Sequence, residues 1–145
     1  MSDEEYMQQA LKEAQKAFDA GEVPVGAVIV SNDRIVTRAH NQVELLSDST
    51  AHAEILALTA AYNSLGSKVL PDATIYITLE PCLMCSGALY WSRIGKIVYG
   101  AADEKNGYKK TAGNNNPFHP RTVLVSGILK EPCSELIKDF FKARR

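Results

Sequence analysis

The spacing of apolar residues divides the chain into alternating helical and extended segments. Between residues 4 and 20, Leu11, Ala14 and Phe18 recur at spacings of three and four. Tyr6, Met7 and Ala10 extend the stripe and Gly21 follows as a stop, which predicts an amphipathic helix. Val25 to Val30 is a short, mostly β-branched run bounded by Pro24 and the turn cluster Ser31-Asn32-Asp33; Arg34 to Thr37 is again strand-like, so a hairpin is expected. Ala51 to Tyr62 is rich in Ala and Leu, with Thr50 as the expected N-cap and Gly66 beyond its end, which predicts a buried helix. Thr74 to Leu79 reads as a strand, Pro81 as a helix start and Cys82 to Trp91 as an apolar helix. Lys96 to Tyr99 and Thr122 to Val125 read as strands, and a last helix runs from Pro132 to near Arg145. From Asp103 to Pro120 the chain turns polar and rich in Gly and Asn, which predicts a long loop of the kind that often carries function.

Strands alternating with helices indicate an α/β layered architecture with helices on both faces of the sheet, and the early hairpin makes that sheet mixed. A length of 145 residues with 46% hydrophobic content suits one domain, residues 1–145, with one core. No apolar run approaches the ~18 residues that a membrane span requires. The start Met1-Ser2-Asp3-Glu4-Glu5 is acidic with no hydrophobic segment behind it, so a cytoplasmic protein is expected. Sixteen basic and seventeen acidic residues give a net charge of −1, so any attraction to nucleic acid has to come from a local patch. Lys138 to Arg145 supplies one: four basic residues against one acidic, a local +3 beside Phe140 and Phe141, suited to phosphates and unstacked bases.

Chemistry concentrates in two segments about thirty residues apart, Thr50-Ala51-His52-Ala53-Glu54 and Glu80-Pro81-Cys82-Leu83-Met84-Cys85, each placed where a loop enters a helix. Cys82 and Cys85 are too close to close a stabilising disulfide loop, and in a reducing compartment such a pair is metal-binding or redox-active before it is structural. On a first helical turn both sulfurs point the same way, and the positive end of the helix dipole favours their thiolates. His52 with the two cysteines makes three ligands for zinc and leaves the fourth tetrahedral position for water, the pattern of a catalytic site. Glu54, two residues after His52, would point about 200° away in mid-helix and converges with it only where the helix is just beginning. There it is a candidate proton shuttle whose burial should raise its pKa.

The pattern H-x-E followed by P-C-x-x-C, complete here, resembles that of the cytidine-deaminase-like superfamily of base-modifying zinc enzymes. That resemblance implies a three-layer α/β/α fold around a mixed five-stranded sheet, and hydrolytic release of ammonia from a base. Within the superfamily the chain is most similar to the tRNA-specific adenosine deaminases. The likeness runs through Glu22 to Ala27, His40-Asn41, Thr50 to Glu54, Thr78 to Cys82, Met84-Cys85, Gly87-Ala88, Ser92 to Gly95 and the ending Asp139-Phe140-Phe141 with Arg144-Arg145. It implies conversion of adenosine to inosine at the wobble position of tRNA, with Zn2+ as cofactor and a homodimer as the working form. It also implies substrate contacts from Asn41, Ala53, Asp103, Phe140 and Phe141, the last helix meeting the anticodon loop.

One stretch departs from that likeness: Asn106-Gly107-Tyr108-Lys109-Lys110 stands where the family commonly has small residues. Tyr108 is placed to stack on a base and Lys109 or Lys110 to meet a phosphate, or the bulkier loop narrows the pocket for another substrate. Two alternatives stay open at this point. One is a deaminase of free guanine, cytosine or a nucleoside. The other is a zinc-binding module without turnover, in which Cys133, His40 or His119 closes the coordination sphere.

Overall fold

Strands that are apolar at both odd and even positions belong inside a sheet covered on both faces. The computed structural model, which describes residues 1–144, has that arrangement. Its elements are α1 (Asp3–Asp19), β1 (Gly26–Ser31), β2 (Arg34–His40), α2 (Val43–Leu46), α3 (Ala53–Leu65), β3 (Ala73–Leu79), α4 (Leu83–Ser92), β4 (Lys96–Ala101), α5 (Tyr108–Ala112), β5 (Val123–Ser126) and α6 (Lys130–Ala143). The five strands lie in the order β2-β1-β3-β4-β5. β1 is antiparallel to both β2 and β3, whereas β3, β4 and β5 run parallel, so the sheet is mixed as expected. No described helix is long and apolar enough to cross a membrane.

Alternation along the strands sorts the core into two layers. Ala27, Ile29, Ile75, Ile77, Ile97 and Tyr99 pack under α3 and α4 through Ala53, Ala57, Leu58, Ala61 and Leu89. Val28, Val30, Tyr76 and Val98 face the other way, onto Tyr6, Met7 and Ala10 of α1 and Cys133 of α6. The hairpin turns through Asn32 and Asp33 at φ 51° and 60°, the positive pair that a two-residue turn demands of short polar side chains.

Four features differ from the sequence expectation. The four-residue α2 breaks what reads as loop, and α5 lies inside the predicted long loop. α3 begins at Ala53 with His52 as its N-cap, rather than at Ala51 after Thr50, because Thr50 is engaged with Asp48, whose carboxylate accepts its backbone N–H at 2.8 Å and its hydroxyl at 2.7 Å. α6 starts two residues before Pro132, which sits in the first turn where no helical N–H is needed.

At Gly26 the backbone of β1 lies directly against α1. A Cβ there would lie 2.5 Å from the Ala14 nitrogen and 2.9 Å from the Glu13 Cβ, and would fall on the Ala10 carbonyl. Because the obstruction is helix backbone, it has no cheap relief. Gly26→Ala is expected to lower unfolding free energy by about 3 kcal/mol, measured as a reduced urea midpoint at unchanged slope.

Candidate functional site

The carboxyl end of β3 delivers the chain through Glu80 and Pro81 to α4, and α3 begins beside it. Two helix N-termini therefore open on one cleft at the strand ends, the usual ligand position in an α/β sheet. His52 is the N-cap of α3, with extended backbone (φ −76°, ψ 151°), and Glu54 is in the first turn. That geometry resolves the His–Glu spacing, since His52 stands outside the helix and both side chains line the cleft. Cys82 is likewise an extended N-cap (φ −74°, ψ 176°), with Cys85 three residues on in the first turn.

His52 Nδ1 lies 3.7 Å from Cys82 Sγ and 3.5 Å from Cys85 Sγ. The three donor atoms are mutually within 4.8 Å, a grouping that could hold a metal ion. The nitrogen–sulfur spacings are close to the edge of about 3.5 Å expected for a tetrahedron with Zn–N near 2.0 Å and Zn–S near 2.3 Å. One imidazole and two soft sulfurs are also a donor set that zinc favours, so the residues present fit that ion.

Protonation at the site follows from its packing. The Cys82 thiol is lowered to about 4, first by the hydrogen bond from Cys85 and then by that from His52; the Cys85 thiol, buried and donating to Cys82, is pushed up. The His52 imidazole is raised, chiefly through Cys82. Glu54 is 4% exposed, and burial raises its carboxyl to about 7.

The cleft has a volume of about 1340 Å³. That exceeds the roughly 300–1,000 Å³ typical of a small-molecule pocket and leaves room for a nucleotide with its flanking groups. His52, Glu54 and Cys82 line its floor. Lys105, Lys110 and Arg144 also line the cleft, together with the carboxylates Glu22, Glu44, Glu80 and Asp103. Exposed Leu45, Leu46 and Leu83 belong to α2 and α4, both of which contribute residues to the cleft.

Each remaining expected contact has a definite place. Asn41 lines the cleft, but its amide is already committed. Oδ1 accepts the Ala53 N–H at 2.8 Å and Nδ2 donates to the Val23 carbonyl at 3.1 Å. Ala53 is fully buried under the site. Asp103 lines the cleft while its Oδ1 accepts the backbone N–H groups of Lys105 and Asn106, each at 3.1 Å. Phe140 reaches the cleft wall, though it is mostly buried, edge-on to Phe18 at 5.7 Å and under the Arg144 guanidinium at 4.3 Å. Phe141 is half exposed and outside the cleft lining; Arg145 lies outside the described residues.

The departing loop corrects one expectation. Tyr108 does not face a base: it is buried, packed against Phe118 at 4.9 Å and Tyr99 at 6.4 Å between ring centroids. Lys109 lies over the Tyr99 ring at 5.9 Å, leaving Lys110 on the cleft. The other candidate ligands are elsewhere. Cys133 is buried in the layer opposite α3 and α4, His40 pairs with Glu13 at 3.4 Å, and His119 is beside Tyr90 at 6.3 Å. None joins His52, Cys82 and Cys85.

Sequence reasoning missed Glu22 and Glu80, buried carboxylates that also line the cleft. Glu22 accepts the Glu44 and Leu45 N–H groups, both at 2.9 Å, and so caps α2 from twenty residues away in place of its own N-cap residue. Nothing local in the sequence signals such a reach. Asn41→Ala would leave the buried Ala53 N–H beside His52 without a partner. The expected result is about 2 kcal/mol less stability together with reduced activity, checked by denaturation and assay of one preparation.

The model of the MafB19-like deaminase family matches residues 1–145. A tRNA-specific adenosine deaminase of Bacillus subtilis (strain 168) is 47% identical over 146 residues, spanning 99% of this chain and 91% of that protein. Among solved structures, one from studies of A-to-I editing by tRNA:A34 deaminases at the wobble position of transfer RNA has a TM-score of 0.84. It is 38% identical, covering 91% of this chain and 98% of its own. A guanine deaminase from Bacillus subtilis is 36% identical with a TM-score of 0.69, covering 80% of this chain and 73% of its own.

Proposed function

Because this chain belongs to the MafB19-like deaminase family and, within it, to the tRNA-specific adenosine deaminases, we propose that it converts adenosine to inosine at the wobble position of tRNA through a zinc site of its own. The observation that carries the reading is the convergence of His52, Cys82 and Cys85 beside buried Glu54 at the floor of a cleft wide enough for a nucleotide within a strand. His52, Cys82 and Cys85 would hold zinc, which supplies the Lewis acidity that makes water a nucleophile near neutral pH.

The protein's own groups account for the rest. The net change is adenosine plus water to inosine plus ammonia, with the C6–N bond broken and a C6–O bond made. Glu54 takes one proton from the attacking water and delivers it to the ring nitrogen, then takes the second from the oxygen now bonded to C6 and delivers it to the departing amine, which one carboxylate can do because it is buried and faces the reacting space. Asn41 holds the start of α3 at Ala53, so His52 and Glu54 keep their relative positions. Lys105, Lys110 and Arg144 line the walls where phosphates of a flipped-out nucleotide and its neighbours would run. Tyr90 and Trp91, 40% and 73% exposed on α4, give a surface suited to the second copy of a homodimer.

The likeness to a guanine deaminase favours a second reading, deamination of a free base. The size of the cleft, with Lys105, Lys110 and Arg144 on its lining to meet phosphates, favours RNA. The test offers the zinc-loaded protein a hairpin RNA with adenosine in the loop, free guanine and free cytosine, and measures ammonia released from each. Release from RNA alone supports the proposal; release from a free base alone transfers the function to the second reading.

A further inference from the structure

Glu80 is two residues before Cys82, 4% exposed, and in contact with the loop that forms one wall of the cleft. Its Oε1 accepts the Asp103 N–H and its Oε2 the Lys109 N–H, each at 3.1 Å. No cation among the described residues forms an ion pair with it. Two backbone ties run between the same segments: Tyr108 N–H donates to the Pro81 carbonyl at 2.9 Å, and Cys82 and Gly107 form an antiparallel bridge. Gly107 is required for this approach, since a methyl group there would fall on the Glu80 carboxylate and the Asp103 carbonyl. From beneath, buried Tyr108 anchors the loop in the core.

The two donors stand at opposite ends of the segment 103–109, so one carboxylate closes it into a ring. Asp103, Lys105 and Asn106 inside that ring, and Lys110 just beyond it, all line the cleft. The loop cannot move away without breaking a hydrogen bond to a charged acceptor that has no cation to replace it, and such bonds are the costliest to leave unmade. The carboxylate thus ties the loop bearing Lys105 and Lys110 to the segment bearing Cys82.

We propose that Glu80 is a positioning residue that pre-shapes the RNA-facing wall at a fixed place relative to the reacting centre. This rests on the RNA-deaminase reading above. A pre-shaped wall spares the substrate the ordering of the loop, so its loss appears in substrate affinity before it appears in the chemical step.

Glu80→Gln tests it in the zinc-loaded full chain, because the isosteric amide keeps one acceptor oxygen and turns an NH2 toward the other loop N–H. The expected results are amide exchange at Asp103 and Lys109 faster by about tenfold, KM for hairpin RNA higher by about tenfold, kcat reduced less than about threefold, and zinc content unchanged. Gly107→Ala, which keeps Glu80 but forces its carboxylate and the loop apart, should give the same split and carries the test if the Gln variant does not fold. Unchanged exchange at the two amides, or an unchanged KM, overturns the proposal. So does loss of zinc with collapse of kcat, which would put the role of Glu80 in the metal segment. If the wild-type protein does not deaminate RNA, the functional reading fails by itself, and amide exchange still decides whether Glu80 holds the loop.

Discussion

Glu54→Gln is expected to lower turnover of the zinc-loaded protein by about three orders of magnitude, equivalent to about 4 kcal/mol in the barrier, with zinc content unchanged. The substitution keeps the shape of a fully enclosed side chain in the first turn of α3 and removes only its ability to accept and return a proton. Glu54 is not among the three residues whose donor atoms converge, so the metal should stay. Packing should survive too, since the Gln amide is neutral and a buried carboxylate carries a desolvation cost that an amide does not. Single-turnover rate and metal content on one preparation check this. A loss of less than about tenfold would assign the proton transfer to another group, and a loss of zinc would make Glu54 a ligand.

Removing the metal is expected to have the other large effect, on activity and stability together. Chelation should abolish turnover and lower the thermal midpoint by about 10 °C, both restored by zinc. The size follows from linkage: an ion present at a thousand times its dissociation constant stabilises by about 4 kcal/mol, and about 2–4 °C of midpoint corresponds to each kcal/mol at this chain length. The structural reason is that two thiol sulfurs and an imidazole are crowded within 4.8 Å at the starts of α3 and α4. Without a cation the imidazole and the two sulfurs are held to one another by weak sulfur–nitrogen contacts at 3.5 and 3.7 Å. Calorimetry with and without zinc measures the shift. An unchanged midpoint would mean that the site forms independently of the ion.

Which parts of this were legible beforehand depends on how local their causes are. β1, β3 and β4 announce themselves because both faces of each strand are buried, which forces unbroken apolar runs. The convergence of His52, Cys82 and Cys85 announces itself because spacing along a helix start fixes which side chains come together. The failures at α2 and α5 are non-local. α2 has no cap of its own and is held by Glu22; α5 sits in a polar stretch and forms because Tyr108 inserts between Tyr99 and Phe118. From sequence Tyr108 reads as a base-stacking residue, since nothing adjacent reveals that its ring has partners nine and ten residues away on opposite sides. Asn41 was identified through resemblance alone, and the structure supplies its physical role, a bridge between Val23 and Ala53.

The central claim is wobble-adenosine deamination on this zinc site, and its most direct test is position-resolved mass spectrometry of one tRNA. The zinc-loaded protein is incubated with a tRNA bearing adenosine at the first anticodon position, with Glu54→Ala as control. Inosine at that position alone, formed by the wild type and absent with the variant, is the predicted result. Unmodified tRNA from a protein shown to contain zinc would contradict the claim.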